Sequence, residues 1–144
     1  MSKTLLTSTL FLSFMVLNPA IGLACRCNNP ATTSAAYSKA DIVVYGHVDS
    51  LTGDINTQSG SIAAITVSDA WKGEVPRQIK LNNQTTCAYD FKVGQSYLVF
   101  LNKTATKGVL ETTICSGNLS VGDAGSAKQW LNSKGMKAQI GVSN

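Results

Sequence analysis

Apolar and polar positions along this chain alternate in short runs, not at helical spacing, until the last quarter. Residues 41–48 (Asp-Ile-Val-Val-Tyr-Gly-His-Val) are rich in β-branched and aromatic side chains and predict a strand. Gly46 within it predicts a bulge or bend, as a curved sheet needs. Residues 50–60 are polar, contain Gly53 and Asp54, and read as a hairpin loop leading to a second strand over 62–70. Trp71-Lys72-Gly73 closes that strand, and Pro76 punctuates the connection. A third, short strand over 78–82 alternates Ile79 and Leu81 with polar neighbours. A connection over 83–94 carries Cys87. Residues 96–102 are the most apolar strand, 102–108 turn, and 109–115 form the fifth strand with Glu111 and Thr113 on one face. A helix follows over 124–133, capped by Asp123 and stopped by Gly135, with a frayed tail beyond. Five strands, irregular connections and a C-terminal helix predict a mainly β fold, a five-stranded OB-like barrel.

The first 24 residues have a different pattern. Lys3 is followed by an apolar run over 5–16, a helix-breaking Asn18-Pro19, and small residues at Gly22 and Ala24. That order is the signature of a secretory signal cleaved after Ala24. The run is too short and too interrupted to span a bilayer, and no later stretch reaches about 18 apolar residues. The expectation is a signal peptide over 1–24 and a single domain over 25–144. The domain would be secreted, extracellular or periplasmic, and free of the membrane once the signal is removed. Cys25 then becomes the first residue. An uncleaved anchor and a lipidated Cys25 are the alternatives, although Gly22 stands where a lipidation signal usually has Leu.

Charge narrows the partners. Of the 12 Lys and Arg only Lys3 lies in the signal, and none of the 8 Asp and Glu does, so the remainder carries a net charge of +3. The basic residues are scattered singly and few aromatics accompany them, so nucleic acid is not an expected partner. The four cysteines, Cys25, Cys27, Cys87 and Cys115, are an even set in a secreted chain and imply two disulfides. Joining Cys25 to Cys27 would close a small strained ring, so each is expected to reach one of Cys87 and Cys115. The competing reading, a four-thiolate metal site, usually shows close cysteine pairs at both ends, and Cys87 and Cys115 are far apart.

No catalytic constellation stands out. His47 is the one histidine, lies inside a strand, and reads as structural. Asp41, Asp49, Asp54, Asp69, Asp90 and Asp123 are isolated, no Gly-x-Ser-x-Gly elbow occurs, and no Gly-rich phosphate loop occurs. The chain is expected to be a monomer without enzymatic activity and without a cofactor. Asn83, Asn102 and Asn118 begin Asn-x-Ser/Thr sequons.

Several of these pieces together resemble a known family. The chain is similar to the N-terminal domain of the tissue inhibitors of metalloproteinases, within the netrin-like modules. The resemblance rests on Cys25-Arg26-Cys27 directly after the signal, Ala40-Asp41-Ile42-Val43, Trp71-Lys72-Gly73, the Cys87 connection, Tyr97-Leu98-Val99, Thr113-Ile114-Cys115, and the helix around Gln129 and Leu131. It implies a five-stranded barrel and the bonds Cys25–Cys87 and Cys27–Cys115. It also implies that the α-amine and carbonyl of Cys25 chelate the catalytic zinc of a target metalloprotease. Contacts to the protease would come from Arg26, Cys27, Asn28, Asn29, Thr85 and Thr86.

The sequence departs from the family at three points. The third disulfide is absent; its early cysteine would fall near Tyr37 or Ser38. The second, cysteine-rich domain of animal members has no counterpart in these residues. Position 26 usually carries a small side chain that enters the specificity pocket, and Arg26 is long and cationic, costly to bury in an apolar pocket without a partner. The alternative function is a non-inhibitory netrin-like module that binds a protein or glycan through the barrel face or the loop over 50–60. A more distant one is metal binding by Cys25 and Cys27 as thiolates.

Overall fold

In the computed structural model, the described residues are 25–27, 31–54, 60–83, 87–138 and 140–141. The expected signal over 1–24 lies outside them. The element order is α1 (Thr33–Lys39), β1 (Ile42–Gly53), β2 (Ser61–Lys72), β3 (Val75–Pro76), β4 (Gln78–Asn83), β5 (Ser96–Lys103), β6 (Leu110–Glu111), β7 (Leu119–Ser120), α2 (Ala124–Ser133) and β8 (Ile140–Gly141).

Five of the strands close a barrel. β1 pairs antiparallel with β2 on one side and with β5 on the other, β2 with β4, and β5 with β6; β4 and β6 complete the ring in parallel. This is the expected mainly β, OB-like barrel with a C-terminal helix. Closure requires β1 to curl, and its pairing with β2 shifts register at three places, one of them between Tyr45 and Gly46. Gly46 is needed there, because a Cβ would come within 2.6 Å of both Ile65 Cγ2 and Thr66 O. The bulge expected from the sequence is therefore a point of close backbone approach.

Two apolar clusters explain the pattern of the strands. Ile42, Val44, Val48, Ile65, Leu81, Phe91, Val99 and Leu101 fill the barrel. On its outer side, Val43, Leu98 and Phe100 pack with Trp71 beneath Ala36, Ala40, Ala124, Ala127 and Leu131 of the α1 and α2 segments. Strands β1 and β5 are thus buried on both faces along 42–44 and 97–101, and this removes the alternation there. Trp71 Nε1 donates to Asn132 Oδ1 at 2.9 Å, and Lys128 sits 3.8 Å above the Tyr45 ring, fixing α2 on the barrel.

Several local expectations need correction. α1 was not legible as a helix; Thr32 caps it by accepting from Ala35 N at 3.2 Å. β1 runs on through Ser50 to Gly53, so the loop begins later, and its residues 55–59 lie outside the described set. The fifth strand is only β6, because Thr112 turns its hydroxyl inward to the Phe100 carbonyl at 2.8 Å and the chain leaves the sheet. Asp123 makes no side-chain cap; its Oδ2 accepts from Ser120 Oγ at 2.7 Å. The tail is not frayed throughout: Ala138 N donates to Ala70 O, and Ile140–Gly141 pairs in parallel with Val75–Pro76.

Candidate functional site

The residues around Cys25 are held from two sides. Cys25 is bonded to Cys87 and Cys27 to Cys115, with Cα–Cα distances of 5.5 and 5.3 Å. This is the pairing the family resemblance implies. All four cysteines are consumed, so no thiolate remains for metal binding, and that reading is set aside. Cys25 is half-buried, whereas Arg26 and Cys27 are exposed. Asn28, Asn29, Thr85 and Thr86, the other expected contact residues, lie outside the described residues.

Each disulfide ends on a loop that a buried asparagine fixes. The Cys87 connection leaves β4 at Asn83, whose side chain is fully buried. Asn83 Nδ2 donates to Tyr89 O at 2.8 Å and Oδ1 accepts from Tyr89 N at 2.9 Å, a bidentate clasp across the loop. The Cys115 turn is held in the same way by Asn118. Its Oδ1 accepts from Phe100 N at 2.9 Å, and its Nδ2 donates to Thr112 Oγ1 at 2.9 Å and Thr113 O at 3.2 Å. These bonds satisfy the buried Phe100 amide and the part-buried backbone groups of Tyr89 and Thr113. Asn83 and Asn118 were legible only as sequons; the burial of both makes them structural instead.

The two loops are also joined to each other, since Ile114 N donates to Cys87 O at 2.9 Å. Gly117 seats the Cys115 turn on α1: at φ +90° a Cβ would lie 2.8 Å from Ala36 Cβ and 3.2 Å from Ala31 Cβ. The described part of the Cys87 connection, the Cys115 turn and α1 thus form one joined platform, to which Cys25 and Cys27 are disulfide-bonded.

Beside the segment lies a cleft of about 670 Å³. Ala36, Ala40 and Phe100 form its apolar part, and Thr32, Asn102, Thr113 and Ser116 contribute polar groups. Its charged lining residues are Arg26 and Lys39, with no carboxylate among them. The cleft therefore carries positive charge next to Cys25-Arg26-Cys27.

The remaining chemistry-bearing residues lie apart. His47 is exposed, with Nδ1 3.4 Å from Ser96 Oγ. Asp41 accepts from Lys103 N, Asp49 from Thr66 Oγ1, Asp69 pairs with Lys128, and Asp90 with Lys92. Among the described residues no three His, Cys, Asp or Glu side chains converge. No helix among them is long and apolar enough to cross a membrane. Two disulfides in a domain of this size fit an oxidising compartment. A scan against protein-family models finds no match, and a search of curated proteins finds none.

Proposed function

We propose that this chain, once residues 1–24 are removed, is a secreted inhibitor of a zinc metalloprotease related in design to the tissue inhibitors of metalloproteinases. The observation that carries the reading is the double anchoring of Cys25 and Cys27 to two loops that are themselves pinned and joined. A free α-amine is less basic than a lysine side chain, so a neutral, metal-binding form is accessible near neutral pH. The α-nitrogen and carbonyl oxygen of one residue form a five-membered chelate. On a catalytic zinc they displace the water that serves as nucleophile. Anchoring lowers the ordering entropy lost on docking, which is what a short wedge needs to bind tightly.

Arg26 defines the target further. It follows the chelating residue and lines, with Lys39, a cleft without carboxylates. An apolar specificity pocket would strip its guanidinium of water without repayment, whereas an acidic pocket floor would pair with it. The reading is therefore inhibition of a zinc protease with an acidic pocket beside its metal. The test is purified domain, its first residue confirmed by mass, assayed against zinc proteases with acidic and with apolar pockets. Inhibition confined to the acidic set supports the proposal. Absence of inhibition in both sets removes it and leaves the non-inhibitory binding module.

A further inference from the structure

The barrel is not closed along its whole length. β4 pairs with β2 from Gln78 onward, but its pairing with β6 begins only at Leu81. Among the described residues, 78–80 therefore have a sheet partner on one side alone. The neighbouring turn does not fill the gap, because it bonds to itself: Thr104 N donates to Val109 O and Val109 N to Thr106 O, both at 3.1 Å. The direction of the free backbone groups follows from register. Val67 N donates to Arg77 O at 2.8 Å, so Arg77, Ile79 and Leu81 direct their backbone bonds toward β2. Gln78 and Lys80 direct theirs the other way.

That open edge borders a cleft of about 940 Å³. Buried Ile42, Val75 and Ile79 and half-buried Leu110 supply its apolar floor. Lys80, Lys103 and Lys107 stand around it, and among the described residues none of the three is in an ion pair. Of the two carboxylates that also line it, Asp49 accepts from Thr66 Oγ1 at 2.7 Å, and Glu74 precedes β3.

We infer that the open edge of β4 over 78–80 is a docking strip for an extended, acidic peptide segment of a partner protein. Such a segment adds as a strand to β4, taking bonds from Gln78 and Lys80. Its alternate apolar side chains enter the floor, and its carboxylates meet the lysines. The strip does not depend on Cys25, so it stands apart from the inhibitory reading.

The probe is a fluorescently labelled short peptide alternating Glu with Val, compared with its Lys-Val counterpart and with an analogue N-methylated on alternate amides. The expected result with the intact domain is binding of the Glu peptide at least about tenfold tighter than either control. The surface variant K80E/K107E should weaken that binding by about tenfold or more while the protein stays folded. In the saturated complex, amide exchange should slow at Gln78 and Lys80. Equal binding of the Glu and Lys peptides, full binding of the N-methylated analogue, or unchanged exchange at Gln78 and Lys80 would each overturn the inference. So would self-association of the domain that protects the same amides without peptide, which would make a second copy the occupant.

Discussion

Asn83 clasps the backbone of Tyr89 through both ends of its side-chain amide, six residues along the chain and across the connection that carries Cys87. The side chain has no solvent exposure, so nothing replaces these bonds if it is removed. Asn83→Ala should therefore cost about 2–4 kcal/mol, because it removes both bonds to Tyr89 and the Nδ2 bond to buried Ser61 Oγ at 3.3 Å, and strands the Tyr89 amide and carbonyl. Asn118→Ala, which frees Phe100 N, should cost a similar amount, about 2–4 kcal/mol. Urea denaturation with both disulfides intact measures each. A loss below about 1 kcal/mol for either would mean that the loops are held by the disulfides alone.

The disulfides are expected to act jointly. Cys27 and Cys115 are 88 residues apart, which on the chain-entropy model corresponds to about 4.6 kcal/mol for an isolated cross-link. With Cys25–Cys87 present, the loop that Cys27–Cys115 closes shrinks to about 30 residues, and its removal should cost roughly 3.6 kcal/mol. The paired change Cys27→Ser and Cys115→Ser, compared by denaturation with the loss of both bonds, tests this coupling. Full additivity would show that the two cross-links constrain the unfolded chain independently.

Gly46 is expected to resist replacement at the bulge of β1. Gly46→Ala drives a methyl against Ile65 and the Thr66 carbonyl at 2.6 Å, and one of those contacts is backbone. A stability loss of about 1–3 kcal/mol is expected, with disturbed amide signals at Thr66 and Val67. A neutral Gly46→Ala would contradict the close approach of β1 and β2 at the bulge.

Alkaline pH gives a further check on the same loop. Burial raises the Tyr89 phenol above its ordinary value of 10.0, and Tyr97, Asp123 and Asp90 add to the effect. The folded chain thus holds a proton that the unfolded chain releases first. The associated stability is complete below pH 10.0 and is lost as pH rises through the folded value. Tyr89→Phe should flatten this decline, measured by denaturation on both sides of pH 10.0. An equally steep fall in the variant would assign the decline to other groups.

Much of the barrel was legible because its strands carry long apolar runs. Residues 96–102 read as the most apolar strand because β5 is buried against the barrel core and against α2 at once. The helix over 124–133 was legible from its stop at Gly135, which adopts φ +65°. α1 was missed because its Ala and Ser content gives no apolar period; only Ala36 within it is buried. In the sequence the fifth strand reads longer than it is because Thr112 and Thr113 are β-branched, and no local signal says that Thr112 bonds to Phe100 and Asn118. The cysteines of the candidate site were visible from position and resemblance. Asn83 and Asn118 were not, because their partners, Tyr89 and Phe100, are chosen by tertiary packing.

The inhibitory reading stands or falls with the free amine of Cys25. The decisive comparison is between the domain beginning at Cys25 and an identical one with a single Ala added before it, each assayed against the same zinc protease with an acidic pocket. An added residue turns the α-amine into an amide, which binds zinc poorly, while both disulfides remain. Inhibition by the first form and a loss of at least about 100-fold, equivalent to about 2.7 kcal/mol, in the second is the expected result. Equal inhibition by the two forms would contradict chelation through Cys25.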